Sequence, residues 1–220
     1  MRSTDLMMIY EVLSNHFGAQ GWWPAETRFD IVVGAILTQR TIWRNAARVI
    51  KDLKREKLTT PNALANVDPD RLEALVRPAG FYRQKTQRLI ELARFIVEKY
   101  GGSLERLFEG SVEDIRGVLT SLKGIGLETA DSILLYAADI LVFPIDTYTR
   151  RICHRLELIS SEDMAYEALK ELFEGGLPSD LRIYKEFRAL LVRLGKTYCR
   201  PRPLCRKCPL RELCYFAQRL

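Results

Sequence analysis

Leu122-Lys123-Gly124-Ile125-Gly126-Leu127-Glu128-Thr129-Ala130 ends one helix and begins another. Two glycines flank a single apolar residue, and Thr129, Ala130 and Ile133 then take up helical spacing. Gly124 and Gly126 permit positive φ and leave backbone N–H groups uncovered at a helix start, where aligned peptide dipoles favour an anion. A turn of this kind can cradle a phosphate oxygen, with Ile125 plugged between the two helices. An ordinary αα-turn has the same outline, so the reading depends on what surrounds it.

Outward from the hairpin the pattern stays helical. Leu6, Ile9, Tyr10, Leu13 and Phe17 recur at helical spacing over residues 4–17, and Gly18 supplies a stop. Phe29 to Leu37 is almost wholly apolar and reads as a buried helix, although periodicity alone would allow a strand. Residues 41–56 form a helix with Arg44, Arg48 and Lys51 among its polar positions. Short helices are expected after Thr60-Pro61 and from Asp68 to Val76. Residues 82–100 form a long amphipathic helix closed by Gly101-Gly102. Ser111-x-x-Asp114 resembles a capping box opening the next helix. Later helices are expected at 147–157, 162–174 and 183–197. With no low-complexity tract, repeat or convincing hairpin of strands, the class is all-α.

Four of the five cysteines fall in the last 22 residues, spaced Cys199-x5-Cys205-x2-Cys208-x5-Cys214. So short a loop cannot bury a core, but thiolates converging on one inorganic centre can hold it, because ligand bonds replace hydrophobic burial. Structural zinc usually takes two short-spaced pairs on separate knuckles, whereas here one C-x2-C is flanked by two equal gaps. A compact array suits the corners of a [4Fe–4S] cluster better; zinc and two disulfides are the alternatives. No secretory leader is expected, since Arg2 is followed by Asp5 and Glu11 with no uninterrupted apolar run. The loop is also basic, with Arg200, Arg202, Arg206, Lys207 and Arg211 against Glu212. A metal-stapled cationic loop suits a polyanion. Formal net charge is +6, too moderate to choose a partner by itself. No apolar run is long enough for a membrane span. Cys153 reads as a small buried residue, and His16 and His154 as structural.

Beyond the hairpin comes Phe143-Pro144-Ile145-Asp146-Thr147-Tyr148-Thr149-Arg150-Arg151. Asp146 stands where a helix N-cap would stand. Backbone N–H groups bonding a capping carboxylate favour its charged form.

The hairpin, the Pro-x-Asp after it and the C-terminal cysteines together resemble the endonuclease III branch of the helix-hairpin-helix DNA glycosylases, over nearly the whole chain. The resemblance implies a six-helix barrel domain over residues 29–139. It implies a discontinuous iron–sulfur domain over 1–28 and 140–220, with DNA across the cleft. The family's catalytic carboxylate falls on Asp146. Its first cysteine gap is six residues, against five here. Bifunctional members carry a lysine in the second helix of the hairpin, which attacks the sugar C1′ as a Schiff base. Glu128 occupies that position, and a glutamate cannot form an imine. Lys123 lies on the other side of the turn and is expected to meet DNA rather than the sugar, with Gly124, Gly126, Arg200 and Arg202.

Trp22-Trp23-Pro24, Gly34 to Gln39 and Val76 to Tyr82 resemble the 3-methyladenine DNA glycosylases of this branch more than the oxidised-pyrimidine enzymes. By that resemblance Trp23 and Trp43 would sandwich a flipped base, Trp22 would support the pocket, and Gln39 would probe the gap left in the duplex. An alkylated purine is cationic, so stacking on aromatic faces gains a cation–π contribution of roughly 0.5–2 kcal/mol. Core packing is the other use of these tryptophans. The expected function is a monofunctional glycosylase, a monomer in the cytoplasm, acting on double-stranded DNA that contains an alkylated purine. The alternatives are a glycosylase for mispaired thymine or uracil or an oxidised pyrimidine, and a non-catalytic DNA-binding module.

Overall fold

A computed structural model describes residues 3–219. Arg2 and the outer limits 1 and 220 of the expected second domain lie outside the described residues. All regular structure among the described residues is helical, as the periodicity predicts. In chain order the helices are α1 (Ser3–Phe17), α2 (Arg28–Leu37), α3 (Trp43–Arg55), α4 (Pro61–Ala65), α5 (Pro69–Val76), α6 (Tyr82–Tyr100) and α7 (Leu104–Leu107). They continue with α8 (Val112–Ser121), α9 (Leu127–Tyr136), α10 (Thr147–Arg155), α11 (Tyr166–Gly176), α12 (Leu181–Thr197) and α13 (Tyr215–Gln218). The chain divides into two compact units, residues 25–138 and the pair of segments 1–24 and 139–220.

Within residues 25–138, α2 is the buried centre. Phe29, Val32, Val33, Ala35, Ile36 and Leu37 are all withdrawn from solvent, which explains an apolar run with no polar face. Its helical form is set at the start by a reciprocal cap. Asp30 N donates to Thr27 Oγ1 (3.1 Å), and Thr27 N donates to Asp30 Oδ2 (3.1 Å). At Ser111 the reciprocal bond is absent: Asp114 N donates to Ser111 Oγ (3.1 Å), while the serine hydroxyl donates to Asp114 Oδ2 (2.6 Å). α6 lays Leu89, Ile90, Leu92, Ala93 and Ile96 against α2, α4 and α5. The hairpin helices α8 and α9 pack together, and α9 packs on α2. Asp131, fully buried on α9, receives both Arg116 Nε (2.7 Å) and Nη2 (3.0 Å) from α8. That fork fixes the angle of the hairpin.

The other unit is built on α12, which touches both α1 and α10. Phe143 stacks on Phe173 with centroids 4.2 Å apart, and Tyr184 and Phe187 close the aromatic cluster edge-on. One helix begins later than its pattern predicts. Residues 162–165 form a turn before α11, because the Arg150 guanidinium holds the carbonyls of Glu162 and Met164 and Asp163 N donates to Ser161 Oγ (3.1 Å). Those carbonyls are thereby engaged outside a helical ladder.

Candidate active site

At the hairpin, Gly124 has φ +83° and Gly126 is the extended N-cap of α9 at φ −91°. Only the first glycine therefore needs its conformational freedom. A Cβ on Gly124 would also fall 2.0 Å from Arg88 Nε, since the Arg88 side chain from α6 lies against the turn. Ile125 is buried, and neither glycine amide takes part in a backbone hydrogen bond among the described residues. Exposed N–H groups at a helix start are suited to an anion. Lys123 and Glu128 are both exposed, Glu128 in the first turn of α9.

Gln39 is fastened to this hairpin. Its Nε2 donates to Gly124 O (3.0 Å) and Thr129 Oγ1 (3.0 Å), and its Oε1 accepts from the Arg88 guanidinium. Just before it, the C-terminal carbonyl of α2 is held by a lysine that no sequence motif marked. Lys85 is buried and donates from Nζ to Leu37 O (2.9 Å) and Ala79 O (2.8 Å). Burial, with the neighbouring Arg88 charge, pushes its ammonium down to about 8.

Asp146 is the N-cap of α10 and is buried. Oδ1 accepts from Thr149 N (2.7 Å) and Thr149 Oγ1 (2.9 Å), and Oδ2 lies 3.1 Å from Arg188 Nη2 on α12. Cys153, on the same helix, is buried, and burial together with the Asp146 charge pushes its thiol up; it is no nucleophile. Trp22 and Trp23 have ring centroids 5.1 Å apart at 42°, and both are half-buried. Trp43 opens α3 and is also half-buried.

The C-terminal cysteines are all free thiols, so no disulfide joins them. Short 3-10 turns at Cys205–Lys207 and Arg211–Leu213 bring the chain back after each excursion, with Cys208 N donating to Cys205 O (3.1 Å) and Cys214 N to Arg211 O (3.2 Å). Burial, then the charges of Cys199, Cys214 and Cys205, push the Cys208 thiol up to about 11. Among the described residues no three His, Cys, Asp or Glu side chains are gathered to hold a metal ion. Arg155 of α10 donates from Nη1 to Cys199 Sγ (3.3 Å) and Arg200 O (2.7 Å). Arg200 and Arg202 are exposed on this loop.

Residues 33–175 match the family model described as the HhH-GPD superfamily base excision DNA repair protein. The chain belongs to this superfamily. As an HhH-GPD protein it is a DNA glycosylase of base-excision repair, an enzyme whose partner is DNA. It is 49% identical over 207 residues to a protein of Methanocaldococcus jannaschii, with 94% of each chain covered. It is 34% identical over 194 residues to endonuclease III of Thermotoga maritima, covering 87% of this chain and 84% of the relative. The solved 3-methyladenine DNA glycosylase of H. pylori, bound to 1,N6-ethenoadenine, superposes with a TM-score of 0.77 at 28% identity, over 89% of this chain and 98% of that one. Among the described residues of this HhH-GPD chain, no helix is long and apolar enough to cross a membrane.

Arg188, Arg88 and Lys85 escape sequence reading. Each acts on a group distant in the chain, so no local spacing marks it.

Proposed function

We propose that this glycosylase is monofunctional and releases alkylated purines, above all 3-methyladenine, from duplex DNA. The observation that carries the reading is the buried Asp146 carboxylate, held by Thr149 at one oxygen and by Arg188 at the other. As the C1′–N bond breaks, its electron pair leaves on the base and C1′ becomes oxocarbenium-like. An ionised carboxylate stabilises that cation and orients a water, whose oxygen bonds to C1′ while its proton passes to the carboxylate or to solvent. A base alkylated at N3 or N7 is already cationic and departs neutral, so Asp146 needs little help from a general acid.

Glu128 supports the monofunctional assignment, because its position in α9 is where a lyase would need an amine. The H. pylori relative supports the choice of base, and Trp22, Trp23, Trp43 and Gln39 are the candidates for recognising it. Likeness to endonuclease III, and to a thymine-DNA glycosylase of Aeropyrum pernix, favours a second reading, release of mispaired thymine, uracil or an oxidised pyrimidine. A panel of duplexes carrying each lesion separates the two. Release of 3-methyladenine is expected, and excision of thymine from T·G without it would sink the first reading. Borohydride should trap no covalent adduct on abasic-site DNA; a trapped adduct would overturn the monofunctional assignment.

The donor set fits a [4Fe–4S] cluster on Cys199, Cys205, Cys208 and Cys214. One zinc ion draws four sulfurs to about 2.3 Å of a single point, whereas a cube presents four separate corners. Four cysteines on one short loop, with a single C-x2-C between two equal gaps, match the second arrangement. When bound, the cluster would supply a covalent staple for the basic loop that carries Arg200 and Arg202, and these would serve as phosphate contacts. Iron and sulfide analysis of the protein purified without air should find four of each per chain. Stoichiometric zinc would reject the cluster.

A further inference from the structure

We propose that Arg188 is a positioning residue for the glycosidic cleavage, holding the second oxygen of Asp146 and thereby fixing the plane of the carboxylate. The inference rests on reading Asp146 as the catalytic group. An aspartate side chain has two oxygens and can pivot about its own bond to Cβ. Oδ1 is occupied twice, by Thr149 N (2.7 Å) and Thr149 Oγ1 (2.9 Å), and so belongs to the helix cap. Oδ2 is the oxygen left to face a sugar cation or a water, and Arg188 Nη2 lies 3.1 Å from it. An ionised carboxylate oxygen accepts more than one hydrogen bond, so a guanidinium on one side leaves lone-pair density for the reaction.

The support behind Arg188 is rigid. It projects from α12 between Phe187 and Leu191, both buried, and its own side chain is nearly buried. α12 packs directly on α10, the helix that Asp146 caps. Their approach is close by construction. Gly195 lies against Tyr148, so that a Cβ at position 195 would fall 2.4 Å from the tyrosine ring. The ion pair therefore joins two helices whose separation is set by packing, not by the ion pair itself. The guanidinium also offsets the desolvation of a carboxylate placed in a buried cap. Arg188 never needs to touch the substrate. It acts through the orientation and charge of Asp146.

The test compares Arg188→Met, Arg188→Gln and Arg188→Lys with the native protein and Asp146→Asn, on whichever base of the lesion panel the native protein releases. A wrong lesion thus leaves the comparison intact. Single-turnover base release and affinity for a duplex carrying an uncleavable substrate analogue are measured separately, with melting temperature as the check of folding. Arg188→Met should release base roughly 100-fold more slowly, the scale of a misplaced catalytic group. Its DNA affinity should be unchanged, and Arg188→Lys should recover most of the rate. Arg188→Gln, which keeps a donor without the charge, stands in should the methionine variant fail to fold, and a slow rate is expected there too. A folded methionine or glutamine variant that cleaves at the native rate overturns the proposal, and so does a loss confined to DNA affinity. If Asp146→Asn itself keeps full activity, the reading of the carboxylate fails, and the positioning role falls with it.

Discussion

Asp146→Asn separates the two uses of one side chain. Asparagine is about as good an N-cap as aspartate, so the α10 start should survive, while the nearly buried Arg188 guanidinium loses the Asp146 charge, at a cost of about 3 kcal/mol in stability. Without the charge, base release should fall by at least about 100-fold. Thermal melting and single-turnover release on the same preparation check both halves. Gly124→Ala acts differently, because the native φ is +83° and the new Cβ would strike Arg88. It should destabilise the protein by more than about 1 kcal/mol, read by denaturant unfolding. At this scale the sequence was informative where a motif is local. The cap at Asp146 and the turn at Gly124 are each written in consecutive residues, whereas the Arg188 contact joins residues distant in the chain, and no spacing encodes it.

Lys85 makes a prediction about how α2 and α6 are joined. Its ammonium is held near pH 8 in the folded protein against an ordinary value of 10.5, so in that window the unfolded chain binds more protons than the folded one. Stability from this group therefore rises with pH between about 8 and 10.5. The neutral amine still has two N–H donors for its two carbonyls. Lys85→Met should remove this upward slope from the difference in melting temperature across that range; an unchanged slope would mean the lysine titrates normally. Helical elements were readable because apolar spacing and caps agree over most of the chain. The late start of α11 was not, since Arg150 reaches its carbonyls from another helix. The same Ser/Thr-x-x-Asp spacing opens α2 and α8, and it is Thr27 and Asp30 that bond reciprocally.

For the whole molecule, partner choice is a matter of where charge is placed. A net charge of +6 decides little, while exposed Arg200 and Arg202 place cationic groups on one short loop, and the hairpin adds N–H groups at Gly124 and Gly126 that join no backbone hydrogen bond among the described residues. Binding to undamaged duplex should therefore weaken steeply with salt. Arg200→Ala and Arg202→Ala should each lower the slope of log K against log salt by about 1. Unchanged slopes would take those side chains off the DNA. The superfamily follows from the chain, but the lesion does not, because phosphate contacts carry no information about a base. The most direct measurement follows both products of one reaction on a duplex containing 3-methyladenine. Free 3-methyladenine is expected, together with an abasic strand that remains unbroken until treated with alkali. Thymine release from T·G with no 3-methyladenine released, or a strand cut by the enzyme itself, would contradict the proposed function.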